Sequence, residues 1–401
     1  MPCKTVATRA RYRRRAATIL FVAGATCALE RRASAEPLRL RGDAIADTRA
    51  PAGLIVLEGR DKVRPWFDVE GLVWAGARSE AAADVLVLSF RLRDARRYTE
   101  FRGGRFVVAT GAVRPVQIDG AWAIGRTAFG STLETFGGVP VVPRLQDRAY
   151  DWLVGGRVAQ SVASRATFGV SYVQRRRHGE LADDEVGGDF ATAPTPWLDV
   201  AARGAYDLAS PGVAEALASV AARSGAYRVE LFGSHRSPSR LLPATSLFSV
   251  LGDFPSQMIG GTVRWQAAPR LDLFASGAGQ LVGGELGMNT FVRALLRTDD
   301  RGEGNVGLEL RRQDVSLAQW TGVRAVGTEP LGHGFRASTE LELSFADHPA
   351  ARGAVWPWAL VALGWRSSNG WEIASALEAA ATPQHSFETN ALMRVSRAMA
   401  F

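Results

Sequence analysis

The chain has 401 residues, 47% of them hydrophobic and 22% charged, with a formal net charge of +8, which is length for one large domain or two medium ones. The charge is concentrated. Residues 1–35 carry Lys4, Arg9, Arg11, Arg13, Arg14, Arg15, Arg31 and Arg32 against Glu30, so 8 − 1 = +7 belongs to them and the remaining chain holds +1. Without a basic face in its main body the chain has no electrostatic footprint for phosphate backbones, which excludes nucleic acid as a partner.

Residues 1–35 read as a secretory signal. The basic stretch "RARYRRR" leads into an apolar run at residues 16–29, and Ala33, Ser34 and Ala35 offer small side chains for cleavage before Glu36. That run is 14 residues long, too short to cross a bilayer as a helix. Cys3 and Cys27, the only cysteines, both lie in this leader. The exported chain would have none, which excludes a disulfide framework, a thiolate zinc site and a cysteine nucleophile. Residues 36–64, with "LRLRGDAIAD" and "GLIVLEGRD", are expected to form an N-terminal extension, with one extra hairpin as the alternative.

Residues 65–401 read as strands. In residues 84–93, Leu86, Leu88, Phe90 and Leu92 share a face opposite Ser89, Arg91 and Arg93. In residues 166–175, Phe168, Val170 and Tyr172 oppose Thr167, Gly169 and Ser171. The same period of two sets Tyr227, Val229 and Leu231 against Arg228 and Glu230, and Val306, Leu308 and Leu310 against Glu309 and Arg311. Further along, "FRASTELELSF" turns Phe335, Leu341, Leu343 and Phe345 to one side and Arg336, Glu340 and Glu342 to the other. Turn signals fall between these segments at residues 267–270, 298–305 and 346–353, and Asn369-Gly370 suits a hairpin tip. The count is about 18 strands, in a range of roughly 16–20, with residues 133–142 a doubtful further segment.

A sheet that wide leaves open edges unless it closes on itself. The expected fold is therefore all-β, an antiparallel up-and-down transmembrane barrel with lipid against its apolar face. Trp152, Trp197, Trp265, Trp320, Trp356, Trp358 and Trp371 fall near strand ends, where interfacial girdles of aromatic residues would place them.

The chain ends "FETNALMRVSRAMAF", with Met393, Val395, Met399 and Phe401 on one face. Here the sequence resembles bacterial outer-membrane β-barrel proteins, whose final strand commonly ends in an aromatic residue read by the barrel-assembly machinery. Phe401 matches as that assembly signal, and Arg397 departs, standing where an apolar residue is more usual. The resemblance covers residues 65–401. It implies the outer membrane of a Gram-negative bacterium, with outer-membrane lipid, lipopolysaccharide and the assembly machinery as partners. It also implies that barrels of this size serve either as small-solute porins or as polysaccharide export pores working with a periplasmic export protein.

Enzyme chemistry finds little support. Gly302, Gly304 and Gly307 form a GxGxxG string, yet it bridges two strands with no helix to cradle a phosphate. With Lys4 and Lys62 the only lysines, no Walker A sequence exists. His178, His235, His333, His348 and His385 fall at strand ends or turns without metal spacing, and Asp347-His348 reads as an exposed turn rather than a rim catalytic pair. No cofactor, metal or catalytic residue is expected.

Two long loops are expected. Residues 236–256, with three prolines, break the alternation, and their Leu247, Phe248, Asp253 and Phe254 are candidates for a constriction folded into the pore. Residues 178–196 contain Asp183, Asp184 and Glu185, read as a solvated acidic tip. The expected lumen lining is Arg228, Glu230, Arg264, Glu309, Arg311, Arg336, Glu340 and Glu342, of both signs. Such a wall suits neutral or weakly charged polar cargo, with no aromatic track evident among these residues. The functional expectation is a channel passing hydrophilic molecules, as porin or export pore; the alternative is a non-conducting scaffold barrel.

Overall fold

The computed structural model describes residues 36–47, 52–77, 81–141, 151–163, 165–237, 256–282, 284–315, 318–350, 353–381 and 387–399. The leader, the candidate constriction residues Leu247, Phe248, Asp253 and Phe254, and Phe401 lie outside them.

The described residues form 22 strands. In chain order they are β1 (Glu36–Asp47), β2 (Ala52–Arg64), β3 (Phe67–Ala77), β4 (Ala81–Arg93), β5 (Thr99–Thr110), β6 (Val113–Arg126), β7 (Ser131–Pro140), β8 (Trp152–Val162), β9 (Ala166–Arg177), β10 (Glu180–Thr195) and β11 (Leu198–Asp207). They continue as β12 (Gly212–Ser224), β13 (Tyr227–Arg236), β14 (Ser256–Ala268), β15 (Leu271–Val282), β16 (Glu285–Arg297), β17 (Asn305–Val315), β18 (Ala318–Gly332), β19 (Phe335–Ala350), β20 (Gly353–Arg366), β21 (Trp371–Ala380) and β22 (Glu388–Met399). Each pairs antiparallel with its neighbours in sequence, and β1 pairs with β22 from Leu38↔Met399 to Asp47↔Asn390. The sheet is therefore a closed up-and-down barrel without an edge.

The all-β antiparallel barrel agrees with the sequence; the strand number does not. Four strands make the difference between about 18 and 22. Residues 36–64 supply β1 and β2, the hairpin that closes the barrel. The doubtful segment at 133–142 lies in β7, and the expected acidic loop at 178–196 is mostly β10. The acids misled the reading because Asp183, Glu185 and Asp189 occupy alternate positions on the inner face, where arginines of the wall meet them. They mark a polar inner stripe rather than a solvated tip.

Register fixes two faces. Val170, Leu231, Ile259, Leu308, Leu341, Val361 and Leu377 belong to a large set of apolar side chains exposed on one face, as on a surface that meets hydrocarbon. The other face carries the arginines, carboxylates and serines. Aromatic side chains crowd the outer face toward the end where the described chain starts and finishes: Tyr227 stacks on Trp265 at 5.7 Å, and Phe335 lies 6.3 Å from Trp365. Trp152 lies on the outer face at the opposite end, and Trp197, Trp265 and Trp371 fit this girdle. Trp320, Trp356 and Trp358 do not, because they share their face with Arg324, Glu342 and Ser344 across the β18–β19–β20 register.

Two tight turns explain two histidines. His178-Gly179 joins Arg177↔Glu180 with φ of 54° and 79°, and His333-Gly334 joins Gly332↔Phe335 with 52° and 82°. Positive φ at both central residues matches the right-handed twist of the strands. At Asn369-Gly370 only Gly370 has positive φ, 85°, and the Ser367 hydroxyl accepts the Trp371 N–H at 3.0 Å to close a wider turn.

Candidate functional site

One hairpin leaves the wall. β4 pairs with β5 only from Arg93↔Glu100 to Leu88↔Arg105, and β6 pairs with β7 only from Arg126↔Thr132 to Ile118↔Pro140. Between those limits β5 and β6 remain paired with each other up to Thr110↔Val113. Residues 106–116 therefore pair with the wall on neither side, and Gln117 keeps a last bond, its carbonyl accepting the Val141 N–H at 2.9 Å. The chain folds them inward, and they lie as a second layer on the inner face of β7–β10.

The sequence permits this at the point of departure and drives it at the tip. Gly104 sits at φ 111°, where a Cβ would collide with the Leu88 carbonyl oxygen, and a Cβ on Gly120, its cross-strand partner, would collide with the Gly137 carbonyl oxygen. Only glycine lets the strands bend here at such close approach. Beyond the bend, Phe106, Val108, Val116 and Ile118 are at most 1% exposed and pack with Val113 against Phe136, Leu153 and Val173 of the wall. Fully burying each of these side chains contributes about 1.5–3 kcal/mol. Water is excluded from this sector of the lumen by hydrocarbon.

Charge latches the tip. Arg114 of β6 pairs with Glu185 of β10. Glu185 also meets Arg175 at 3.5 Å, while Arg175, wholly buried, donates to Asp183 at 2.5 Å. A second group lies beside it: Thr110 donates to Glu134 at 2.8 Å, Glu134 accepts from Arg157 at 3.0 Å, and Arg157 reaches Asp189 at 2.6 Å. At the hinge, Arg105 donates to the Val85 carbonyl at 2.9 Å and Gln117 to that of Leu86. These side chains satisfy the edge of β4 that the hairpin has left unpaired.

The rest of the inner wall remains polar. All eight expected lining residues, Arg228, Glu230, Arg264, Glu309, Arg311, Arg336, Glu340 and Glu342, lie on the face opposite the exposed apolar side chains. Arg228 meets Glu230 at 3.3 Å, Arg264 meets Asp272 at 3.2 Å, and Glu309 is within 4 Å of Arg293, Arg311 and Arg324. Arg324 also pairs with Glu340. Aromatic rings share this face: Phe232, Phe274 and Phe291, and with them Trp320, Trp356 and Trp358, expected from sequence in the interfacial girdle. Beside the hairpin tip a recess of about 600 Å³ is lined by Gly111, Asp189, Arg203, Ser234, Arg236 and Met258, among others. The hairpin therefore narrows the lumen along β7–β10.

Other candidates resolve into structure. Asp347 holds Arg312 through two hydrogen bonds of 2.6 and 2.5 Å, so its carboxylate is engaged beside the outer face. Among the described residues no three His, Cys, Asp or Glu side chains are placed to hold a metal ion. Gly302, Gly304 and Gly307 span the β16–β17 turn and the start of β17, with no helix beside them.

No protein-family model matches the sequence. No curated protein matches it significantly. Solved structures do: the chain superposes on the P pilus usher (PapC) translocation pore with a TM-score of 0.53 at 9% identity, over 91% of this chain and 99% of that one. The fold is that of an outer-membrane β-barrel. In an E. coli P pilus tip assembly intermediate, PapC-PapD-PapK-PapG, the match has a TM-score of 0.54 at 8% identity and covers 92% of this chain and 62% of that chain. Pseudomonas aeruginosa OccD3 (OpdP) covers 91% of each chain at a TM-score of 0.42 and 10% identity. At these identities the likeness is one of fold.

The infolded hairpin is what sequence reasoning missed. Its signals were present: the double glycine Gly103-Gly104, then Phe106, Val107 and Val108 as three consecutive apolar residues. Those residues break the alternation of a strand with only one apolar face.

Proposed function

We propose that the protein is a channel for hydrophilic molecules in the outer membrane of a Gram-negative bacterium, with its passage beside the β5–β6 hairpin. The observation that carries this reading is the sorting of side chains in a closed barrel: hydrocarbon outside, arginines and carboxylates inside. A barrel of 22 strands is too wide for side chains to fill, so its interior holds water or a plug. Here the plug is partial and made from the wall itself. The two widest gaps between strands, from Pro140 to Trp152 and from Arg236 to Ser256, both open at the end opposite the described termini. That asymmetry supports an orientation with the termini in the periplasm and the hairpin tip toward the cell surface. Export through a leader at residues 1–35, and assembly guided by Phe401, belong to the same proposal.

Single-channel conductance of the refolded chain, residues 36–401, tests it, alongside a variant in which a two-residue turn replaces residues 107–116. Steps in the intact protein that grow in the shortened one support a channel narrowed by the hairpin. Silence that gives way only in the shortened protein marks a closed resting state, and silence in both leaves the scaffold alternative standing. Polymer export with a periplasmic protein is a narrower use of the same lumen; co-purification of such a partner with the intact barrel, and not with an unrelated outer-membrane barrel purified in parallel, is its test.

A further inference from the structure

On the inner wall from β14 to β17 the carboxylates are outnumbered and hidden. Arg264 and Arg297 share Asp272 at 3.2 and 2.8 Å. Arg293 and Arg311 share Glu309, which Arg324 of β18 also approaches at 3.6 Å. The side chains of Asp272 and Glu309 are only 11% and 6% exposed, whereas those of Arg264, Arg293 and Arg297 are 56%, 41% and 37% exposed. The acids therefore lie in the wall and the guanidinium groups stand above them. On these four strands Arg264, Arg293, Arg297 and Arg311 share a face with Asp272, Glu309 and, at the far end of β16, Glu285, so the wall presents 4 − 3 = +1.

Geometry holds these cations in place. The Arg293 guanidinium lies 5.8 Å from the ring centroids of both Phe274 and Phe291, and that of Arg311 lies 5.6 Å from Phe291. The two rings are 5.5 Å apart. Aromatic faces orient guanidinium planes without using up their N–H donors. Arg228 and Arg264 stand directly opposite each other across β13 and β14; each has one carboxylate beside it, Glu230 at 3.3 Å and Asp272 at 3.2 Å, and both guanidinium groups remain about half exposed. A recess opens at this point, where Arg228, Arg264 and Arg293 stand against Glu230 and Asp272, an excess of one positive charge.

We propose that this stretch of wall is an anion-binding subsite, formed by Arg264 and Arg293 with Arg228 and Arg297 beside them, for carboxylate- or phosphate-bearing solutes. Forked guanidinium donors match both oxyanions. The proposal rests on the channel reading for its purpose, since it assigns that channel an anionic cargo in place of the neutral one suggested by the mixed lining charges. It rests on local geometry for its existence.

The test uses refolded residues 36–401 and the double variant Arg264→Gln/Arg293→Gln. Each substitution leaves the buried carboxylate with an arginine, Arg297 for Asp272 and Arg311 for Glu309, so the barrel keeps its wall; heat-modifiable migration on gels confirms it. Calorimetry in detergent with citrate and with inorganic phosphate should show binding to the parent and a loss of about tenfold or more in the variant, the effect of removing charge-assisted hydrogen bonds. In planar bilayers under a potassium chloride gradient the parent should be chloride-selective and the variant less so. Citrate binding that weakens in the variant while no current is seen would keep the subsite and refute the channel. Current that is cation-selective, with no citrate or phosphate binding, would keep the channel and overturn the subsite.

Discussion

Arg175 has no exposed surface, yet it carries a full charge beside Asp183 and Glu185. Removing one partner from such a cluster strands the others in a site that water does not reach. Arg175→Met should therefore lower barrel stability by about 3–5 kcal/mol, measured as a shift of the urea midpoint followed by tryptophan fluorescence in lipid vesicles. An unchanged midpoint would mean that the cluster is hydrated. Arg397 is a second residue whose place is explained by its neighbour. It interrupts the outward apolar alternation of the last strand, and its guanidinium lies 5.0 Å from the Trp371 ring centroid. A cation stacked on an interfacial tryptophan sits near the headgroups rather than in the hydrocarbon. Arg397→Leu should leave insertion intact, with stability changed by less than about 1 kcal/mol.

The β5–β6 hairpin is the element on which the candidate site depends. Phe106 is fully buried beneath it, so Phe106→Ala should loosen its packing by about 3–5 kcal/mol and increase current noise before it affects the barrel. Cross-linking reports the same contact directly. A Cβ added at Gly187 would meet the Ala112 Cβ, and residues 36–401 contain no cysteine, so in that refolded chain Ala112→Cys with Gly187→Cys should close a single bridge on oxidation. Faster migration on non-reducing gels would show the hairpin folded in, and no bridge would place it elsewhere. Periodicity made the ordinary strands legible, as in β13 and β17, because each has one apolar and one polar face. It failed where the environment of a strand differs: in β10, whose acids point to a wall of arginines, and in β5 and β6, which bury apolar side chains on the inner side. Gly103-Gly104 and the apolar run after it mark the departure locally, but the surface the hairpin settles on lies in later strands that local spacing does not connect to it. The expected constriction at residues 236–256 and the hairpin at 106–117 share a logic, an apolar segment folded into a polar lumen, and for the hairpin the structure shows the wall it lies on.

At the scale of the whole barrel, neighbouring residues experience different solvents. Val361 is 59% exposed on the outer face of β20, and Ala362 faces inward beside Ser338 and Ala376. Val361→Arg should cost about 2–4 kcal/mol if its position is near the bilayer midplane, whereas Ala362→Arg should leave stability nearly unchanged and alter conductance. Equal penalties for both would contradict the assignment of faces. The sequence showed this sorting clearly, from β13 to β22 above all. It undercounted the strands because β1 and β2 reveal their role only through pairing with the far end of the chain. That closure and the infolded hairpin together impose an order in time. β1 has no complete set of neighbours until β22 arrives, and the hairpin has no surface to settle on until β7–β10 stand side by side. Closure joins residues more than 300 positions apart, a slow step for any chain, while the hairpin needs only nearby strands. Protection of Arg114 from trypsin is therefore expected before the barrel becomes resistant to unfolding in detergent: the gate is in position before the wall around it is sealed.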